Sequence, residues 1–169
     1  MPQPITLLDA GPDDRDAMAD LFRTVCRAGD ALPFTPDTPD EAFDAMWLSP
    51  GVQVYVALVD GRLAGMYKLN ANLPGRAAHV ASATYLVRPD RQGQGIGTAM
   101  LRDSLARAAA QGYRAMQFNF VVSTNRAAVA LYERHGFSIV GTLPEAFLHA
   151  QLGYVDAYVM SRRIAPATK

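Results

Sequence analysis

The chain has 169 residues, half of them hydrophobic and 19% charged, which suits one globular domain with enough length to bury a sizeable core. Its 16 Lys and Arg balance 16 Asp and Glu, so no basic excess draws it to nucleic acid or to an anionic membrane. The lone Cys26 excludes an intrachain disulfide and fits a reducing compartment, no apolar run approaches the about 18 residues of a membrane span, and no basic, apolar leader opens the chain, so a cytoplasmic protein is expected.

Residues 5–8 read as a first strand. Gly11-Pro12-Asp13-Asp14 then opens a helix, since proline fits a first turn and the carboxylates meet the positive end of the helix dipole. Ala17, Met18, Leu21, Phe22, Val25 and Cys26 repeat at helical spacing, which puts the Cys26 thiol in the core. A loop over 29–36 leads to Thr38-Pro39-Asp40-Glu41, which has capping-box spacing with proline at the first helical position. The second helix runs to about residue 48 and carries Phe43, Met46 and Trp47.

A β-branched run over 52–59, the hairpin signal Asp60-Gly61 and a returning run over 62–70 predict two paired strands. Asn72-Leu73-Pro74-Gly75 breaks the second. Strand 78–87 follows. Helix 98–111 shows Leu101, Leu105, Ala108 and Ala109 on one face and stops at Gly112. Strand 115–122, helix 125–135 closed by Gly136, and strands 137–143 and 154–162 complete the chain. The order β-α-α-β-β-β-α-β-α-β-β, without repeat or linker, predicts an α+β (mixed α/β) fold with helices on the faces of a sheet, over a single domain spanning 1–169.

Between strand 78–87 and helix 98–111 lies Arg88-Pro89-Asp90-Arg91-Gln92-Gly93-Gln94-Gly95-Ile96-Gly97-Thr98-Ala99. Three alternate glycines strip the loop of side chains, so its N–H groups can converge where the next helix aims its positive end. That is a cradle for phosphate oxygens. A turn that merely needs positive φ is the plainer reading. A Walker A loop requires lysine before Thr98 and has none. A dinucleotide fingerprint requires Gly-x-Gly-x-x-Gly, whereas the register here is Gly-x-Gly-x-Gly.

Gln92-Gly93-Gln94-Gly95-Ile96-Gly97 does fit Gln/Arg-x-x-Gly-x-Gly/Ala at each position. Through this loop, the preceding Tyr85-Leu86-Val87-Arg88-Pro89, and the later stretch Asn125 … Leu131-Tyr132-Glu133 … Gly136-Phe137, the chain resembles the GCN5-related N-acetyltransferase (GNAT) superfamily. The resemblance implies a central, mostly antiparallel seven-stranded sheet, splayed between strands 4 and 5 and flanked by about four helices. It implies acetyl-CoA as co-substrate, without a metal. The pyrophosphate would rest on Gln92, Gly93, Gln94, Gly95, Gly97 and Thr98. The pantetheine arm would pair with the edge of strand 80–87 at Leu86 and Val87, as an added strand does. The N–H near Val87 would polarise the thioester carbonyl.

By the same resemblance Asn125 bonds the pantetheine arm, although it also suits the N-cap of helix 126–135. Tyr132 would protonate the departing thiolate, although it also suits a core aromatic. The acceptor amine must lose a proton, because an amine of pKa ~10 is only about one part in a thousand neutral at pH 7. Glu133, Glu145, His149 and Asp156 are candidate bases by position alone, and none is selected. His79, His135 and His149 lack metal-ligand spacing, and no Gly-x-Ser-x-Gly element is present.

The acceptor would meet segments 32–47, 70–76 and 144–154. Phe118-Asn119-Phe120-Val121-Val122-Ser123-Thr124-Asn125 is similar to a stretch of fungal acetyltransferases that modify toxic proline analogues, which would turn Asn119 to the thioester gap. Tyr132 departs from that subgroup, which has tryptophan there. Three readings stay open: an N-acetyltransferase for a small-molecule amine such as an amino acid, a protein or peptide N-terminal acetyltransferase, and a non-catalytic acyl-CoA-binding module. No nucleic-acid or membrane partner is expected. A homodimer is common in the superfamily, and the last strands would supply its interface.

Overall fold

The structure is a computed structural model that describes residues 3–165. Runs of β-branched and aromatic residues form seven strands: β1 (Ile5–Asp9), β2 (Gln53–Val59), β3 (Arg62–Ala71), β4 (Val80–Val87), β5 (Ala115–Val122), β6 (Ser138–His149) and β7 (Gly153–Arg163). Four helices join them: α1 (Arg15–Ala28), α2 (Asp40–Trp47), α3 (Ile96–Ala110) and α4 (Arg126–Arg134). The strands lie in one sheet in the order β1-β2-β3-β4-β5-β7-β6. Every pairing is antiparallel except β4 with β5.

That one parallel pairing decides the shape of the sheet. β4 and β5 touch only at Val80–Ala115 and Ala81–Met116, and from there towards Val87 they diverge. The sheet stays continuous but opens into a wedge at its centre.

Because side chains alternate along a strand, each sheet face has its own core. On the α3 side Tyr67, Leu69, Met100, Leu101, Met116, Phe118 and Met160 pack together. On the α1 and α2 side Phe22, Phe43, Trp47, Val56, Met66 and Leu86 do so. Phe22 bridges Phe34 and Phe43 at ring-centroid distances of 5.3 and 5.6 Å. Cys26 lies in this second core. Ala17 does not belong to the buried stripe of α1: it is exposed and Ala19 takes its place. Among the described residues no helix is long and apolar enough to cross a membrane.

Two expected local features differ. The capping box at Thr38 is not formed: α2 starts at Asp40, Pro39 occupies the cap position in an extended conformation, and no side chain caps the helix. The cause is a tight turn in which the Thr38 N–H bonds the Thr35 carbonyl (3.0 Å), leaving proline as the last extended residue. Asp40 instead pairs with Arg23 at 2.6 Å.

The expected end of β6 at residue 143 is also wrong, since the strand runs on to His149. Proline 144 cannot donate to a ladder, and the structure absorbs it in a bulge: pairing jumps from Leu143–Ala157 to Phe147–Val155. Within the bulge Glu145 takes positive φ (50°), and its N–H bonds the Asp156 carboxylate at 2.9 Å. A side chain thus replaces the missing strand carbonyl and pairing resumes beyond it.

Candidate active site

The backbone at the wedge follows from the ladder. Asn72 N–H bonds the Val80 carbonyl (2.8 Å) and Arg88 N–H bonds the Ala64 carbonyl (2.9 Å). In an antiparallel pair, hydrogen-bonded and non-hydrogen-bonded positions alternate. Residues 82, 84 and 86 therefore bond β3, and residues 83, 85 and 87 turn their N–H and C=O groups towards β5. β5 has already diverged, so the Val87 N–H faces the open wedge.

The glycine loop leaves β4 through the turn Pro89–Arg91. Gly93 (φ 77°) and Gly95 (φ 82°) take the left-handed conformation, with open space where a Cβ would stand. Gly95 is the N-cap of α3. The first amides of a helix have no partner within it, and among the described residues those of 93–98 have no backbone acceptor. Gly97 differs from both, with no left-handed backbone. It sits in the first turn of α3, and a Cβ there would lie 3.4 Å from Leu131 Cδ2 of α4.

Loop, wedge and α4 line one cleft of about 840 Å³, a size usual for a cofactor-sized ligand. Leu86, Val87, Gln92, Gly93, Gly95, Gly97, Thr98, Asn125 and Tyr132 all line it. Gln94 does not; it is exposed at the tip of the loop. Asn119 lies outside the cleft lining: it is exposed, donates to Asn72 Oδ1 (2.6 Å) and accepts from Gln117 Nε2 (2.8 Å).

Asn125 caps α4, its Oδ1 accepting the Ala128 N–H at 3.3 Å. The cap uses only the carbonyl oxygen, so the Nδ2 donors stay available to a ligand. Tyr132 packs against Phe118 and Phe137, with ring centroids 4.5 and 5.9 Å away. Its hydroxyl makes no hydrogen bond among the described residues. Burial raises its pKa above the usual phenol value, so it holds its proton throughout the working range.

Of the four candidate bases only His149 lines the cleft. Glu133 and Glu145 are exposed, and Asp156 is engaged by the Glu145 N–H. Among the described residues no three His, Cys, Asp or Glu side chains form a metal-binding group.

Several lining residues escaped the sequence reading. Arg91, Arg126 and Arg134 bring positive charge to the cleft, and their signal was their place beside the glycine loop and within the α4 motif. Thr124 also lines it, and its Oγ1 is buried without a partner among the described residues. Asp30 lines it from the loop after α1; nothing local in the sequence marked that.

Comparison with known proteins settles the family. The model of the acetyltransferase (GNAT) family matches residues 16–137. The chain belongs to that family. A GCN5-related N-acetyltransferase from Kribbella flavida is 38% identical with a TM-score of 0.89, over 94% of this chain and 97% of that one. N-acetyltransferase aca1 of Schizosaccharomyces pombe is 33% identical over 66% of this chain and 54% of its own length, so the chain spans about half of that relative. L-amino acid N-acetyltransferase AaaT of Escherichia coli is 29% identical over 70% of this chain and 76% of its own. A solved GNAT-superfamily phosphinothricin acetyltransferase from Sinorhizobium meliloti, 25% identical to this chain, is a complex with acetyl-CoA.

Proposed function

We propose that this acetyltransferase moves the acetyl group of acetyl-CoA to the amine of an amino acid or a related small molecule, by direct attack in a ternary complex. The observation that carries the reading is the meeting of an unpaired Val87 N–H and the unbonded Tyr132 hydroxyl in one cleft that begins at the glycine loop. The likeness to the Escherichia coli amino-acid enzyme supports the acceptor class.

In this reading the amides of 93–98, with Arg91, Arg126 and Arg134, hold the pyrophosphate and phosphate charge. Asn125 Nδ2 and the free edge of β4 orient the pantetheine amides. The Val87 N–H polarises the thioester carbonyl. The amine nitrogen attacks the carbonyl carbon, the C–N bond forms, and the C–S bond breaks. Tyr132 gives its proton to the departing sulfur, and the proton lost by the amine passes to water. A phenol near ~10 is not strongly driven to protonate a thiolate near ~8.5, but the same dry surroundings raise both.

A small acceptor is favoured over a protein by the contact between Gly29 and Ala150. The Ala150 N–H bonds the Gly29 carbonyl at 3.0 Å, tying the end of α1 to the β6–β7 hairpin across the wedge. The same reading carries a homodimer through the β6 edge, where Ile139, Val140 and Leu143 are exposed; sedimentation velocity tests it, and a monomer at all concentrations overturns it. A thiol-release screen of acetyl-CoA with amino acids, polyamines and peptide N-termini tests the function. Turnover with peptides alone, or with no amine, overturns it.

A further inference from the structure

The tie between Gly29 and Ala150 positions two residues that the reaction scheme above leaves unused. Gly29 ends α1 in the left-handed region (φ 66°), and a Cβ on it would lie 2.7 Å from Ala150 Cβ. The contact therefore has no room for a side chain. Its immediate neighbours, Asp30 on one side and His149 on the other, both line the cleft.

His149 has a fixed tautomer. Its Nδ1 lies 3.1 Å from Gln151 N and 3.3 Å from Leu152 N, both amides of the hairpin tip. A backbone N–H only donates, so Nδ1 must accept. The neutral ring then carries its proton on Nε2. The nitrogen left for a ligand is a donor and cannot take a proton from the attacking amine. Phe147, its ring centroid 6.3 Å away and edge-on, buttresses the imidazole.

Resting on the amino-acid reading above, we infer that His149 is an acceptor-recognition residue rather than the general base: its Nε2–H hydrogen-bonds a carboxylate or carbonyl oxygen of the acceptor. Asp30, across the tie, provides the opposite charge for the ammonium group. A zwitterion presents both groups on one carbon, and the tie brings a donor and a carboxylate to one cleft.

The test compares His149→Ala and His149→Gln on two acceptors: an amino acid taken by the wild type and its decarboxylated amine. A hydrogen bond to a charged group is worth about 1.5–3 kcal/mol, so His149→Ala should raise KM for the amino acid about ten- to hundredfold. Its kcat, its KM for acetyl-CoA and its KM for the decarboxylated amine should stay within about threefold. Glutamine, which keeps an N–H donor, should recover part of the loss. Equal losses on both acceptors, or a loss confined to kcat, overturn the inference. A wild-type enzyme that acetylates only amines lacking such an oxygen overturns it while leaving acetyl transfer intact. A wild-type enzyme that releases no thiol with any amine overturns the proposed function as well.

Discussion

Tyr132 of α4 and Phe118 of β5 pack with ring centroids 4.5 Å apart, and this contact ties the phenol to the diverging side of the wedge. Phe118 in turn stacks on Phe137 at 4.5 Å, so aromatics from α4, β5 and the turn before β6 fix one hydroxyl at the cleft. Tyr132→Phe keeps every one of these ring contacts and removes only the hydroxyl. We expect kcat to fall by roughly a hundredfold or more, the usual contribution of a positioned acid, with KM for acetyl-CoA nearly unchanged. Because burial raises the Tyr132 pKa, the wild-type phenol stays protonated from about pH 6 to 9. The pH profile of the variant should therefore keep its shape and lose only amplitude. Steady-state thiol release across that range is the measurement, and equal losses in kcat and CoA affinity would show that the hydroxyl acts in binding.

Thr124 tests the cleft without touching the reacting atoms. Its hydroxyl is buried and unpartnered among the described residues, which costs free energy in the absence of a ligand. Thr124→Val keeps the shape and removes the orphan. Thermal stability should hold or rise, while CoA binds about two- to tenfold more weakly, the worth of one ordinary hydrogen bond. Thermal melts and calorimetric titration with CoA give the two numbers. If affinity is unchanged, the hydroxyl does not face the ligand.

Cys26 should behave as a core side chain. It is 2% exposed, and burial raises its thiol pKa, so less thiolate exists at any given pH than for a free cysteine. Reaction with a disulfide reagent at pH 8 should be at least about a hundredfold slower in the native protein than in denaturant. A rapid native reaction would place the thiol at the surface.

Much of this site could be read from local signals. The glycine register marked the loop, Asn125 followed by a helical run marked the α4 cap, and the run over 78–87 that ends at the loop marked β4. What could not be read depends on residues far apart in the chain. The continuation of β6 past Pro144 needs Asp156 on the neighbouring strand to supply an acceptor. The Gly29–Ala150 tie joins segments more than a hundred residues apart. The tautomer of His149 depends on how tightly the hairpin turns at 150–152. Asn119 carried a motif likeness, but the amides of Asn72 and Gln117 occupy its side chain, and neither partner is specified by that motif.

The three glycines of the loop should separate cleanly on substitution, because only two of them take the left-handed backbone that favours glycine. Gly93 and Gly95 sit at positive φ in open space. A Cβ there meets no neighbour but strains its own backbone by about 1–2 kcal/mol. Gly97 lies within α3, where a Cβ makes an ordinary contact with Leu131 at 3.4 Å, and alanine suits a helix better than glycine by about 1 kcal/mol. Gly95→Ala should therefore lower stability and, by tilting the amides of the α3 N-terminus, weaken CoA binding by about tenfold or more. Gly97→Ala should keep stability within about 1 kcal/mol and retain CoA binding. Gly97→Leu should disturb the α3–α4 contact and lose both. Denaturant unfolding and CoA titration of the three variants decide it. If Gly95→Ala binds CoA as the wild type does, the ligand does not depend on the left-handed turn that presents these amides.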